Sequence, residues 1–598
     1  MINLLNSNPA FIFYLAAAIL PFLKGQLKNI FAIIILFISF IFVYQLEPGI
    51  VTFPFLHYEL TILRVDVLSK AFGYIFTLSC LAAFIYGYFQ KKSFELVSIL
   101  IYVGSAIGVI FSGDLLSLYM FWELMAVFST FLILSNKTVK SMLAAKRYIL
   151  IHVAGGLVLL AGIMLHINST GSIAFNSFTI ESMSTWLILI GFLVNAAAFP
   201  FNSWLTDAYP EATILGGVIL SAYTSKTAIY ALLRGFPGWD ILVIIGCIMA
   251  IYGIIYGLLE NDIRRVLAFS IINQLGFKIC GIGIGTSLAL SGVIAHSICS
   301  ILYNSLLWMS AGGILYSVGK SKFTELGGLY RSMPLTCIFA IIGALSISSF
   351  PLTNGFTSKT IILLAAQNKE LLLPWFILKI GSVGAFVIIG LKFIYFSFFN
   401  KQKELKVSNL PTGMYLGMGL LSILCIYIGC FPEVLYNILP NSDIVKETVP
   451  YTFYSIYVKK FVKVLSQFQI LTFATIAFFL FLPFFKIKNK ISIDIDIIYR
   501  RGAQYVFCFI DWFFNSLNKN SQKLIIDNFV NKVCVFCKHG PSYVLYGSNY
   551  VYLLATNNLD KLNREKIFNR SINNNFPVGN SALFILITFI IIMFLNNI

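Results

Sequence analysis

The stretch VNAAAFPFNSWLTDAYPEAT, residues 194–213, begins inside an apolar run and then adds a proline and polar residues to it. Pro200 removes one backbone hydrogen bond from a helix and frees a carbonyl group. Inside a bilayer, irregular backbone is tolerated only where it is buried in protein or lines a water-filled cavity. If this run crosses a membrane, it is a broken helix that borders polar groups or water.

The remainder of the chain has the composition of a membrane protein. Of its 598 residues, 59% are hydrophobic and only 11% are charged, which is far from the balance of a soluble domain. Apolar runs of roughly 17 to 25 residues, the length that crosses a hydrocarbon core, recur along the chain. These runs predict an all-α polytopic membrane protein with about 14 to 16 transmembrane helices.

The formal net charge of +18 is unevenly distributed. Lys and Arg concentrate in the loops that follow odd-numbered spans, so these loops are predicted to be cytoplasmic. The charge therefore indicates orientation in a bacterial inner membrane and does not indicate nucleic-acid binding. One loop breaks the pattern, because DAYPEAT, residues 207–213, is acidic where a basic loop is expected.

The opening stretch has an echo further along the chain. SSFPLTNGF, residues 348–356 around Pro351, resembles AAFPFNSWL, residues 197–205 around Pro200. Five predicted spans separate the two prolines, so the two units would have opposite orientations in the membrane. Paired, interrupted spans of this kind point to a transport site at the interface of an inverted repeat.

The pattern predicts six regions along the chain. They are 1–93, N-terminal transmembrane helices; 94–235, a first five-helix repeat; 236–400, a second five-helix repeat; 401–486, C-terminal core helices; 487–580, an amphipathic segment on the cytoplasmic face; and 581–598, a final transmembrane helix.

Ionisable residues within predicted spans are the candidate functional groups. Glu123, Lys226 and Lys359 each lie inside an apolar run, where a charge costs about 2.5 to 3.5 kcal/mol on insertion scales. Desolvation disfavours the charged form of either residue type, so such groups can accept and release protons near neutral pH. Glu123 and Lys226 are expected to set each other's protonation state, although Glu123 could also form a purely structural ion pair. His296 could be a relay residue or a core histidine bonded to a neighbouring carbonyl.

Seven ordered motifs resemble the antiporter-like subunits shared by Mrp-type Na+/H+ antiporters and the membrane arm of respiratory complex I. The resemblance covers about residues 65–400, and the portion around residues 204–238 is most similar to the D-type antiporter subunits. The motifs are FWELMAVFSTFLI (121–133), AAAFPFNSWLTDAYPEAT (196–213), TSKTAIYALLR (224–234), ENDIRRVLAFSIINQLGF (260–277), HSICSILYNSLLWMSAGG (296–313), ELGGLYRSMP (325–334) and SFPLTNGFTSK (349–359).

The resemblance implies a core with two inverted five-helix repeats, each containing a broken helix, and a row of buried charged residues across the middle of the membrane. It implies that Glu123 is the glutamate of the fifth core helix and that Lys226 is the lysine that some members carry in the eighth. It also implies that His296 is a relay histidine and that Lys359 is the outlet lysine of the second broken helix.

Two positions depart from the pattern of the resemblance. The related subunits usually carry lysine five residues before the first broken-helix proline and in a motif similar to H-x-L-Y/F-K-A-L-L, whereas this chain has Asn195 and Asn304 there. Because an asparagine side chain does not bind a proton near neutral pH, protons would have to pass these positions through water or by another group.

The leading functional hypothesis is a membrane subunit of a multisubunit monovalent-cation/proton antiporter, with H+ and either Na+ or K+ as the transported ions. The alternatives are a pump subunit of an NADH:quinone oxidoreductase and a scaffold subunit that no longer conducts. Other membrane subunits and the lipid bilayer are the expected partners. We expect no cofactor and no metal, since Cys534 and Cys537 form a single C-x-x-C pair without a second one.

Overall fold

The apolar runs of the sequence form helices, because a helix satisfies its backbone hydrogen bonds within its own segment. The computed structural model describes residues 8–179, 181–401, 405–449, 452–459, 461–484, 496–521 and 529–558, together with residues 585 and 588. The chain divides into two compact units, Met1–Ile495 and Asp496–Ile598, and each is described by itself.

The larger unit consists of helices joined by short connections. Its first part contains α1 (Ala10–Ile19), α2 (Leu27–Gln45), α3 (Val67–Tyr86), α4 (Ser93–Phe111), α5 (Leu115–Leu134), α6 (Val139–Thr170), α7 (Met183–Asn195), α8 (Ser203–Ala208), α9 (Ile214–Ala222) and α10 (Thr224–Gly235). Its second part contains α11 (Asp240–Leu259), α12 (Ile263–Ile284), α13 (Ser287–Val318), α14 (Pro334–Ile347), α15 (Asn354–Asn368), α16 (Leu372–Ala385), α17 (Thr412–Cys430), α18 (Glu433–Tyr436), α19 (Ser442–Thr448) and α20 (Phe461–Phe481).

The predicted fold class, an all-α polytopic membrane protein with two interrupted helices, is confirmed. Within the described ranges, eleven helices are long and apolar enough to cross a membrane, and three shorter apolar helices accompany them. The span predicted at 581–597 lies outside the described residues, apart from residues 585 and 588. The helix α16 continues as two π-helical segments, Phe386–Phe393 and Tyr395–Phe399.

A β-hairpin is present between α2 and α3, in a segment predicted as a plain loop. Strand β1 (Gly49–Phe55) pairs antiparallel with β2 (Tyr58–Val65), and the register shifts between Val51 and Thr52. All side chains of β1 are exposed, whereas three of the eight side chains of β2 are buried. The hairpin therefore covers the end of the helical core with one strand.

Both predicted breaks are present. Helix α7 ends at Asn195 and α8 begins at Ser203, with Ala197 in the left-handed region at φ 49°. Trp204 Nε1 donates to the Val194 carbonyl oxygen at 2.9 Å, so a side chain of α8 is bonded to the last turn of α7. Helix α14 ends at Ile347 and α15 begins at Asn354.

A third break, which the sequence did not predict, separates α9 from α10 at Tyr223. The backbone N–H of Thr224 leaves the helical ladder and donates to Tyr102 Oη at 2.9 Å. On the other side of the break, the carbonyl oxygen of Ser221 accepts a hydrogen bond from Lys226 Nζ. Side chains thus replace the helix bonds that are lost here, without any proline.

Helices α12 and α13 form the centre of the larger unit, since almost all of their residues are buried. Glycines bring α11 close to α12: a Cβ atom on Gly246 would overlap the Cys280 backbone, and one on Gly276 would lie 2.6 Å from the Gly246 carbonyl oxygen. Close backbone approach through small residues is typical of packed transmembrane helices. This packing fixes the polar side chains of α12 in the interior.

The acidic loop that breaks the charge pattern is neutralised by arginines from elsewhere in the chain. Arg147 on α6 forms a bidentate salt bridge with Asp207, with Nε and Nη2 at 2.6 and 3.0 Å from the two carboxylate oxygens. Arg264 on α12 donates to the carbonyl oxygens of Pro210 and Ala212, each at 2.8 Å. The loop is therefore held against the helical core by charge-assisted hydrogen bonds.

The smaller unit contains two long helices, α21 (Asp496–Ser521) and α22 (Asn531–Ala555). Large apolar side chains on them are exposed, among them Phe509 and Trp512 on α21 and Phe536 on α22. The unit begins near the predicted boundary at residue 487, and its place on the cytoplasmic face stays a prediction.

Candidate functional site

The larger unit buries an unusual set of polar side chains among apolar helices. Lys226, His296 and Lys359 have relative exposures of 0%, 0% and 1%, and Asn195 and Asn304 are each 1% exposed. Buried polar groups in an apolar interior are costly unless they are hydrogen-bonded or have a function. These five residues therefore lie in the interior of the larger unit, whereas Glu123 is only partly buried.

Glu123 on α5 faces the helix α6. A Cβ atom on Gly156 of α6 would overlap Glu123 Oε1, so only glycine leaves room for the carboxylate against this helix. Glu123 Oε1 is buried and has no hydrogen-bond partner in the described part of the chain. The carboxyl group therefore keeps the capacity to bind water or a proton.

Asn195 contacts a histidine one helix turn from Gly156. His152 Nδ1 lies 2.8 Å from Asn195 Oδ1, and both side chains are buried. The ring of His152 packs edge-on against Trp204, with centroids 4.6 Å apart. Glu123 thus faces α6 one helix turn from His152, and His152 links this part of α6 to the end of the broken helix α7.

The break between α7 and α8 leaves further hydrogen-bonding capacity in the interior. Among the described residues, Asn195 Nδ2, both amide atoms of Asn202 and Ser203 Oγ are buried without a partner. Pro200 itself is exposed, whereas Pro351 at the second break is buried. Polar atoms of this kind are suited to hold ordered water between protein groups.

Lys226 lies on α10, directly after the unpredicted break at Tyr223. Its ammonium group donates to the Ser221 carbonyl oxygen. Thr224 precedes Lys226 by two residues, and its hydroxyl group lies 2.6 Å from Tyr102 Oη. Lys226 does not form a salt bridge with Glu123, since the ion pairs among the described residues involve other groups. The influence of each residue on the protonation state of the other therefore stays a prediction.

A buried lysine that was not among the predicted site residues lies at the centre of the unit. Lys278 on α12 is fully buried, and its Nζ donates to Ser300 Oγ on α13 at 2.6 Å. Electrostatic interactions connect Lys278 with both Lys226 and Lys359. Lys278 could have been predicted as a site residue from the sequence, because a lysine inside the apolar run FKICGIGIG, residues 277–285, is a charge in a membrane span.

His296 lies on α13, one turn before Ser300. His296 Nδ1 is 3.2 Å from Ser358 Oγ on α15, while Nε2 is buried without a partner in the described ranges. The rings of His296 and Tyr303 have centroids 6.3 Å apart, and Tyr303 Oη donates to Gln274 Oε1 at 3.1 Å. His296 therefore connects the centre of the unit to the second broken helix.

Lys359 lies on α15, after the second break, and repeats the arrangement of Lys226. Its ammonium donates to the carbonyl oxygen of Ile347, the last residue of α14, at 2.6 Å. It also lies 5.1 Å from the centre of the Phe277 ring. In both cases a buried lysine satisfies a carbonyl group that a helix break has freed.

A small cavity with both polar and apolar lining residues adjoins Lys359. Its volume is about 20 Å³, which is room for one water molecule. Ser349, Ser382, Gln467 and the partly exposed Lys379 line it together with Lys359. The cavity therefore places a second, more exposed lysine next to the buried one.

Lys392 is a buried lysine of another kind. Its Nζ donates to the carbonyl oxygens of Gly257, Leu258 and Glu260, at 3.0, 2.8 and 2.5 Å, where α11 ends. All three N–H donors are used, so this lysine is a helix cap with no remaining capacity.

The central part of the chain matches a known family. Residues 112–387 match the family model described as NADH:quinone oxidoreductase/Mrp antiporter, TM. The chain is 29% identical to the A-type subunit of the Na(+)/H(+) antiporter of Alkalihalophilus pseudofirmus over 509 residues, 73% of this chain and 62% of that protein. It is 30% identical to the A1-type subunit of the Na(+)/H(+) antiporter of Staphylococcus aureus strain JH9 over 403 residues, 59% of this chain and 50% of that protein.

Solved structures share the fold. A chain of the Mrp complex from Dietzia sp. DQ12-45-1b gives a TM-score of 0.73 at 21% identity, with 92% of this chain and 62% of that chain covered. A chain of respiratory complex I from Thermus thermophilus gives 0.64 at 19% identity, with 74% of this chain and 98% of that chain covered. The chain thus spans between half and about three fifths of the curated relatives described here. Those relatives are A-type subunits, so the similarity to D-type subunits stays a prediction.

Proposed function

We propose that the chain is a member of the family of NADH:quinone oxidoreductase and Mrp antiporter membrane subunits, whose model matches residues 112–387, and that it is a proton-translocating subunit of a monovalent-cation/proton antiporter in a bacterial plasma membrane. The observation that carries the proposal is the series of buried ionisable side chains with unused hydrogen-bonding capacity. In the proposal, residues 94–235 and 236–400 are the two half-channel repeats, and other membrane subunits complete the complex.

The proposed proton path begins at Glu123. The carboxyl group takes up a proton, since its Oε1 is buried but unpaired among the residues described. The orphaned polar atoms around the first break hold water that passes the proton towards Lys226. His296 and Lys359 continue the path in the second repeat, and the cavity shared by Lys359 and Lys379 is its outlet.

The hydrogen bonds of Lys226 and Lys359 allow each lysine to lose and regain a proton. A lysine that donates to one carbonyl group, as Lys226 and Lys359 do, can lose a proton and keep that bond. Lys392, with three carbonyl partners, would lose a bond on deprotonation and is not part of the proposed path.

The test uses the native complex reconstituted into vesicles with a pH-sensitive dye inside. A gradient of Na+ or K+ is imposed, and the rate of pH change reports exchange. We expect Glu123→Gln to lower the rate by about a hundredfold, because glutamine cannot carry the proton. The matched control is Glu181→Gln, which changes an exposed glutamate before α7 and should exchange at the native rate. Native rates in Glu123→Gln would contradict the proposal.

The alternative is a pump subunit of an NADH:quinone oxidoreductase. It is favoured by the likeness to the Thermus thermophilus complex I chain, 98% of which is covered. Purification from native membranes distinguishes the two: small hydrophobic partner subunits support the antiporter, and peripheral iron–sulfur subunits support the oxidoreductase. The third hypothesis, a non-conducting scaffold, predicts that the native complex gives no exchange that depends on Glu123.

A further inference from the structure

Four of the described lysines are fully or almost fully buried, and Lys278 has the weakest hydrogen-bond partner for its positive charge. Its only hydrogen bond in the described structure is to a neutral hydroxyl group, Ser300 Oγ, at 2.6 Å, although an ammonium group has three donors. None of the salt bridges among the described residues includes it. A buried charge without a carboxylate or carbonyl partner is destabilising, so its presence calls for a function.

The surroundings of Lys278 increase that cost. Lys226 and Lys359 both act on it as like charges. His296 interacts electrostatically with Lys278 and with Lys359. Lys278 therefore interacts electrostatically both with the lysine of the first repeat, Lys226, and with the lysine of the second repeat, Lys359.

The face of α13 that receives Lys278 is polar along two turns. His296, Ser300 and Asn304 follow at intervals of four residues, so they share one face and span about 12 Å. Lys278 contacts the middle member, Ser300. Asn304 is buried, and its Nδ2 has no partner in the described ranges. The ammonium group thus lies beside the face that contains Asn304, supplied by the neighbouring helix.

We propose that Lys278 is the ionisable group that carries the proton between Lys226 and Lys359, in place of a protonatable side chain at position 304. The proposal rests on the proposed function of the chain. In the forward step the Lys226 ammonium gives a proton, through water, to the neutral Lys278 amine, which becomes an ammonium while Lys226 becomes an amine. In the next step Lys278 gives this proton to the neutral amine of Lys359, and no other atom changes its bonding.

The first experiment measures cation-driven exchange by the reconstituted complex. Lys278→Met removes the proton acceptor and keeps most of the length of the side chain, so we expect exchange to fall by about a hundredfold. Lys278→Arg keeps a cation that does not release its proton, so it should be as inactive as Lys278→Met. A purely structural cation would tolerate arginine, and exchange near the native rate in either variant would overturn the proposal.

The second experiment tests the replacement itself. In the double variant Lys278→Met/Asn304→Lys, the new lysine starts from the same face of α13, one turn from Ser300. We expect it to recover at least about a tenth of the native rate, whereas Asn304→Lys alone adds a like charge beside Lys278 and gains nothing. No recovery in the double variant would overturn the assignment of Lys278 as the substitute for position 304.

A stability measurement separates this inference from the proposed function. Lys278→Met relieves a poorly paired buried charge, so the melting temperature of the purified complex should rise. The matched control Lys392→Met leaves three carbonyl groups unpaired, so its melting temperature should fall. If Lys278→Met melts lower, as Lys392→Met does, Lys278 is a structural residue and the inference is wrong. If the native complex shows no exchange while Lys278→Met melts higher, the proposed function fails instead.

Discussion

His152 and Asn195 form a buried pair in which Nδ1 of the histidine lies 2.8 Å from Oδ1 of the asparagine. The amide oxygen can only accept, so Nδ1 carries a hydrogen and Nε2 is an acceptor. Nε2 has no partner in the part of the chain that the structure describes. An ionisable ring therefore lies directly beside the position where the family resemblance led us to expect a lysine.

This pair gives the first prediction. Replacing His152 with Gln keeps a donor for Asn195 but removes the ring nitrogen that can bind a proton, so cation-driven exchange should fall at least about tenfold. His166→Gln on the same helix is the control, because His166 is partly exposed and should be silent. Equal rates for the two variants in the dye assay would show that His152 takes no part in proton transfer.

The second prediction concerns the space around Glu123. Gly156→Ala places a methyl group where Glu123 Oε1 lies, so the carboxyl group must turn away and exchange should fall to the level of Glu123→Gln. Gly155→Ala is the control, since its methyl group meets only the apolar side chain of Val194 at 2.9 Å. The prediction fails if Gly156→Ala exchanges as fast as Gly155→Ala while both complexes are folded.

The third prediction concerns pH and stability at the start of α3. Asp66 caps this helix through Ser69 N at 2.8 Å and pairs with Arg234 Nη2 at 2.8 Å. Burial disfavours its charged form, but Arg234 and the Ser69 N–H group favour it more, so the pKa of Asp66 lies below its ordinary value.

The stabilisation from Asp66 is therefore complete above about pH 4, where an unfolded chain ionises this carboxyl group, and is lost as the pH falls through the lower folded pKa. Asp66→Asn keeps a cap but not the charge, and should cost about 1 kcal/mol at about pH 7. Melting temperatures of the native and Asp66→Asn complexes should differ more at about pH 7 than at about pH 3. A difference that is the same at both pH values would refute this account.

The fourth prediction is a double-mutant cycle on Arg147 and Asp207. The pair is bidentate but partly exposed, so its coupling free energy should be about 1 kcal/mol, at the upper end for surface salt bridges. Arg147→Ala, Asp207→Ala and the double variant are compared by thermal unfolding at low and high salt. Additive effects at low salt would mean that the salt bridge does not hold the acidic loop.

The sequence was sufficient to locate the spans and the two proline breaks, because membrane thickness and backbone hydrogen bonding leave few alternatives. It did not predict the break at Tyr223. That break depends on the bond from Thr224 N to Tyr102 Oη, which joins helices far apart in the chain. Long-range partners of this kind have no local signature.

The sequence predicted some residues of the site and missed another, again because contacts between distant parts of the chain have no local signature. Lys226, His296 and Lys359 are polar residues in apolar runs, and the structure buries all three. Lys278 carries the same signal, but it lies one residue beyond the motif that ends at Phe277, and its position in an apolar run does not reveal which way it points. Only the contact with Ser300 shows that it faces the other ionisable groups.

The helix ends next to Lys226 and Lys359 have a mechanical consequence. Each lysine nitrogen serves as the cap of a backbone carbonyl, that of Ser221 or of Ile347. An uncharged amine still has two N–H groups, so the cap persists whether the nitrogen carries two hydrogens or three. The protonation state of these two lysines can therefore change while both hydrogen bonds to the helix ends are kept, and no helix has to move.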